Sequence, residues 1–229
     1  MGAPPGPDPH LNLRHPVHIP APHGQLEANL REASGTPRGA AVLCHPHPLH
    51  GGTMHTKAVF RTAQALADVG FHVLRFNFRG VGTSTGSYDE GVGEMDDARA
   101  ALTWLHRRFP SLPLLLGGFS FGSRVALRVG VEDDEVEALL GLGLAPDLFD
   151  YDFLDGVERP VLLVQGEEDR FGSGARVAEM VEGLAGPITL VRVAESDHFF
   201  HSHFEELQRA VREYFTRGAG AEPFGAAPA

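Results

Sequence analysis

Leu114-Leu115-Leu116-Gly117-Gly118-Phe119-Ser120-Phe121-Gly122-Ser123 is an apolar run that stops at a serine with a glycine two residues away on either side. The run reads as a buried strand and the segment from about Phe121 as a helix, so the chain must turn sharply at Ser120. Such a G-x-S-x-G elbow lifts the hydroxyl clear of the sheet and holds the serine in a strained backbone conformation. Gly118 and Gly122 leave room where strand and helix approach closely. Free amides at the helix N-terminus carry partial positive charge and point at the space beside the serine, a place suited to an oxyanion. A plain strand-to-helix turn is the alternative that the pentapeptide alone leaves open.

On both sides of this stretch, short apolar runs alternate with helical periodicity. Residues 17–19 and 26–30 read as strands around a Pro22-His23-Gly24 turn, an opening hairpin. Further strands are expected over 40–44, a short continuous apolar run of the kind buried on both faces of a parallel sheet, and over 71–77, 138–144, 160–165 and 188–193. Between them lie helices over about 53–69, with Thr53 as its cap, 93–108, 176–184 and 203–216. The alternation predicts an α/β protein: one domain over 17–217, with a doubly wound, mostly parallel sheet of about eight strands, helices on both faces and ligands at the carboxyl ends of the strands. Residues 1–16 are Pro/Gly-rich and 218–229 Gly/Ala/Pro-rich, so both ends are expected to be poorly ordered.

Composition bounds the partners. The 229 residues, 42% hydrophobic and 21% charged, suit one large α/β domain. Thirty acidic against 19 basic residues give a formal charge of −11, and no Lys/Arg block is present, which argues against a nucleic-acid or anionic-membrane partner. Cys44 is the only cysteine, so no intrachain disulfide framework exists. No signal peptide and no run of membrane-spanning length is visible, and a soluble cytoplasmic protein is expected.

The chain resembles the α/β-hydrolases, and within them the small capless serine esterases. The resemblance covers residues 17–216. It rests on the elbow and on the order nucleophile, acid, histidine, matched by Ser120, Asp169 after a later strand, and His198 after the last strand. The stretches 44–54, 75–84 and 196–200 also resemble one subgroup of hydrolases.

Chemistry assigns each of these residues a task. A serine hydroxyl is a weak nucleophile, so a neutral imidazole must take its proton and later return it to the leaving group; His198 fits. A carboxylate must hold that imidazole in the useful tautomer, and Asp169 fits. His201 and His203, and Glu167, Glu168 or Asp147, are rivals for the two places. Of the two amides an oxyanion hole needs, Phe121 supplies one. The Pro-rich loop His45-Pro46-His47-Pro48-Leu49-His50-Gly51-Gly52 supplies the other, and because proline has no N–H the donor is His47, with Gly51 and Gly52 as fallbacks.

Two other classes compete. Thirteen histidines in clusters raise a metal-dependent hydrolase, but no Cys pair and no H-E-x-x-H accompany them, so no metal is assigned. A noncatalytic binding protein on the same scaffold would be expected to lack part of the triad. The expectation is therefore a carboxylesterase acting on a small-molecule ester through an acyl-enzyme, without cofactor. A thioesterase, lactonase or acyl-peptide hydrolase would use the same machinery. Only residues 145–159 separate two strands where many relatives carry a cap domain, so the site should be open, with His50, Phe149, Tyr151 and Phe171 beside Phe121 as its pocket. The competing expectation is that a homodimer partner or the N-terminus covers it.

Overall fold

The computed structural model describes residues 14–225. Strands β1 (Arg14–Ala21) and β2 (Gly24–Arg31) form the opening hairpin. There follow β3 (Gly39–Cys44), α1 (Lys57–Asp68), β4 (Phe71–Phe76), α2 (Val92–Arg108), β5 (Leu114–Phe119), α3 (Phe121–Glu132), β6 (Val136–Leu142), β7 (Val161–Gly166), α4 (Gly174–Glu182), β8 (Ile188–Val193) and α5 (Phe204–Arg217). The sheet order is β1-β2-β4-β3-β5-β6-β7-β8, antiparallel from β1 to β4 and parallel from β4 to β8. This is the eight-stranded, doubly wound α/β architecture that the alternating pattern predicts.

Every residue of β3, β4, β5 and β7 is buried, as strands covered by helices on both faces must be. One core packs the sheet against α2, α3 and α4, through residues such as Leu102, Val125 and Val177. The other packs it against α1 and α5 through Leu66, Leu207, Val211 and Phe215. In α5, Leu207, Ala210, Val211, Tyr214 and Phe215 recur at helical spacing and are the buried positions, so one apolar stripe fixes how that helix sits. Truncating such a fully buried phenylalanine costs about 3–5 kcal/mol.

Several expectations need correction. The segment read as disordered to residue 16 already pairs with β2 from Arg14, and the expectation for 1–13 lies outside the described residues. Thr53 does not cap α1: its hydroxyl accepts from the His55 amide in a separate turn, and the helix begins at Lys57. The C-terminal segment does not fray at 218. Ala219–Phe224 is a 3-10 turn in which Phe224 is buried, its ring 4.7 Å from that of Phe71. Average composition concealed one aromatic anchor; residues 226–229 lie outside the description. The connection between β6 and β7 carries a single 3-10 turn, Asp152–Leu154, in place of a cap domain.

Candidate active site

The elbow places Ser120 between β5 and α3, at φ 56° and ψ −121°. A non-glycine residue there costs about 1–3 kcal/mol and persists only where its surroundings over-determine it. Here the Ser120 amide donates to the Leu142 carbonyl (2.8 Å), and the Ser123 hydroxyl donates to the Ser120 carbonyl (2.6 Å). A Cβ on Gly118 would strike the Gly122 carbonyl, as a close strand–helix approach requires. A Cβ on Gly122 would instead strike the Cys44 and His45 carbonyls, so the second glycine is demanded by the end of β3.

The loops after β7 and β8 bring the other expected residues to the serine. His198 Nε2 lies 3.0 Å from Ser120 Oγ, and His198 Nδ1 lies 2.7 Å from Asp169 Oδ2. The Asp169 carboxylate is enclosed: Oδ1 accepts from the Phe171 amide (2.8 Å) and Oδ2 also accepts from Gln165 Nε2 (2.9 Å). The rings of Phe119, Phe171 and Phe199 pack around the imidazole of His198 at 4.7–5.1 Å. The rivals lie away from the serine–histidine pair. Glu167 pairs with Arg192, Asp147 lies 3.8 Å from Arg176, Glu168 is exposed, His201 pairs with Asp197, and His203 bonds the His201 carbonyl. Among the described residues no three His, Cys, Asp or Glu side chains are grouped so that they could hold a metal ion.

Gln165 was not singled out from the sequence. It is fully buried at the end of β7, where its Oε1 accepts from the Leu144 amide (2.7 Å) and its Nε2 faces Asp169, the Leu144 carbonyl and the Gly172 carbonyl. It therefore ties the loop that carries Asp169 to the end of β6. A signal was present: one amide closing the run Val161-Leu162-Leu163-Val164 must find partners once buried.

The loop after β3 forms the opposite wall. His45 is buried, its Nδ1 2.6 Å from the Pro46 carbonyl while Nε2 accepts from the Phe78 amide (3.0 Å). Burial pushes its pKa down to about 4. Pro48–His50 is a 3-10 turn, capped by His47 Nδ1, which accepts from the Leu49 amide. His47 Nε2 sits 3.2 Å from the Tyr88 hydroxyl, and its ring lies against His50, Tyr88 and Phe121. Burial, with the neighbouring His50 charge, lowers the His47 pKa. Among the described residues nothing accepts from the His47 amide, and the Phe121 amide is the first free N–H of α3. The Gly52 amide donates to the His47 carbonyl, so that fallback is occupied.

These walls enclose an open cavity of about 720 Å³ with Ser120 and His198 in its lining. His50, Phe121, Phe149 and Phe171, read from the sequence as its pocket, line it, and so does His47. Tyr151 does not. It is buried behind the site, where its hydroxyl accepts from the Ala145 amide, because the connection after β6 turns that ring into the core. Leu148, Arg170 and Phe199 also line the cavity and were not anticipated, since nothing in a loop's sequence says which side chains face inward. A second groove, of about 800 Å³ along β8 and α5, shares no residue with this one.

Comparison with known proteins places the chain in a family. The α/β-hydrolase domain model matches residues 40–213, and the chain belongs to that family. Its solved relatives include an α/β serine hydrolase homologue from Coxiella burnetii, 34% identical over 88% of this chain and 97% of that one, with TM-score 0.83. They also include XC6422 from Xanthomonas campestris, described as an α/β serine hydrolase without lid: 33% identical, over 94% and 97% of the two chains, TM-score 0.84. An uncharacterized protein of Rickettsia prowazekii, RP471, is 33% identical over 86% of this chain and 87% of its own. Within the family, then, this is a capless α/β hydrolase.

Proposed function

We propose that this protein is a carboxylesterase that cleaves small esters through an acyl-enzyme on Ser120. The observation that carries the reading is the continuous line of hydrogen-bond contacts from Ser120 Oγ through His198 to Asp169. His198 Nε2 takes the hydroxyl proton as Oγ attacks the ester carbonyl, and the amides of Phe121 and His47 receive the negative charge that develops on its oxygen. The tetrahedral species collapses, His198 returns the proton to the departing alkoxide, and the acyl group remains on Ser120. Water, deprotonated by the same imidazole, then releases the acid. Asp169 keeps the Nδ1 proton in place and stabilises the imidazolium. The chain's own groups supply every proton transfer in this scheme.

Chromogenic esters of graded chain length, assayed before and after treatment with a fluorophosphonate, test it. Turnover should be abolished by labelling at Ser120, and Ser120→Ala should reduce it by about three or more orders of magnitude while leaving the fold intact. A purified Ser120→Ala protein that turned over esters near the wild-type rate would end the proposal.

A further inference from the structure

The chain carries 30 acidic and 19 basic residues, yet its candidate active-site cleft has the opposite character. Among the described residues no Asp or Glu lines the cavity; those in the lining that can bear charge are Arg170 and the histidines His47, His50 and His198. The Asp169 carboxylate faces away, enclosed by its donors. Arg170 is exposed, with its guanidinium 4.6 Å over the Phe171 ring, which in turn meets the His198 ring at 4.7 Å. Among the described residues no carboxylate pairs with Arg170, whereas Arg176 pairs with Asp147 and Glu179, and Arg192 with Glu167. The contact with Phe171 restrains the guanidinium, and its N–H donors have the fork geometry that suits a bidentate acceptor.

We infer that Arg170 is a specificity-determining anion subsite, and that the cleft takes short esters bearing a free carboxylate beyond the scissile bond. The inference rests on the ester-hydrolase reading above. A monoanion fits better than a phosphate dianion because, among the described residues, Arg170 is the one permanently charged cation in the lining. One planar fork matches one carboxylate.

The test pairs monoethyl succinate with ethyl 4-oxopentanoate, in which a methyl ketone replaces the carboxylate at similar size. The ratio of kcat/KM for the charged over the neutral ester should fall about tenfold in Arg170→Gln, allowing for solvent exposure of the pair. It should fall further in Arg170→Glu, and the wild-type ratio should shrink as salt is raised. Calorimetry of the two esters binding to Ser120→Ala, with and without Arg170→Gln, gives a readout that needs no turnover. A charged-ester preference in binding that Arg170→Gln removes, with neither ester cleaved by wild type, would keep the subsite and sink the hydrolase reading. Esters cleaved with a ratio that all the Arg170 variants leave within twofold of wild type would do the reverse.

Discussion

The two walls of the cleft use histidine in opposite ways. The loop after β3 holds His45, His47 and His50, and there the rings serve the backbone: His45 bonds the Pro46 carbonyl and the Phe78 amide, and His47 caps a 3-10 turn and reaches Tyr88. The loops after β7 and β8 bring one imidazole, His198, to the serine, and they spend Asp169, Gln165 and an aromatic collar on orienting it. The clustered histidines thus brace a loop, and the single one with a buried carboxylate behind it is the one held against the serine.

The comparison can be broken most forcefully at the carboxylate. Asp169→Asn should lower kcat by about two to four orders of magnitude, because an amide in that place favours the wrong imidazole tautomer. Steady-state rates on a short chromogenic ester measure it, and a loss under tenfold would mean that Asp169 does not orient His198.

One step further back, Gln165→Leu should cost about tenfold to a hundredfold in kcat with little change in KM, since it frees the Asp169 loop without touching substrate. Equal losses in kcat for a loosened and an intact loop, judged by hydrogen exchange at the Phe171 amide, would argue against positioning.

On the scaffold wall the expected effect is on stability. The folded protein holds His45 at a pKa of about 4, while an unfolded chain titrates near the ordinary 6.5. As pH falls, the unfolded state takes the proton first, so the contribution is complete above about pH 6.5 and is lost as pH drops toward 4. Wild type should therefore lose about 2 kcal/mol more than His45→Asn between about pH 7 and pH 4.5, followed by urea denaturation. Parallel curves for the two proteins would mean that His45 is already protonated in the fold.

The smallest effect concerns acyl length. The cavity is open and its apolar rim, Leu148 and Phe199, is itself exposed, so little of the roughly 0.8 kcal/mol per methylene can be realised beyond about six carbons. kcat/KM should level off there, and a steady rise through about twelve carbons would reveal an enclosing surface.

The sequence by itself determined the architecture and the chain order in which Ser120, Asp169 and His198 come to the carboxyl ends of the strands. The central strands β3 and β5 are continuous apolar runs, the elbow glycines are needed for backbone contact, and Ser120, Asp169 and His198 each follow a strand of a parallel sheet whose carboxyl ends converge. Local pattern carries that information because a buried strand and a tight turn constrain residues close together in the chain. Only the tertiary structure decided that Gln165 holds Asp169, that Tyr151 turns inward, that Phe224 anchors the C-terminal segment on Phe71 and Phe215, and that Arg170 lines the cleft. Each depends on which way a side chain points from an irregular segment, and that direction is set by partners distant in sequence, with no periodicity to announce it.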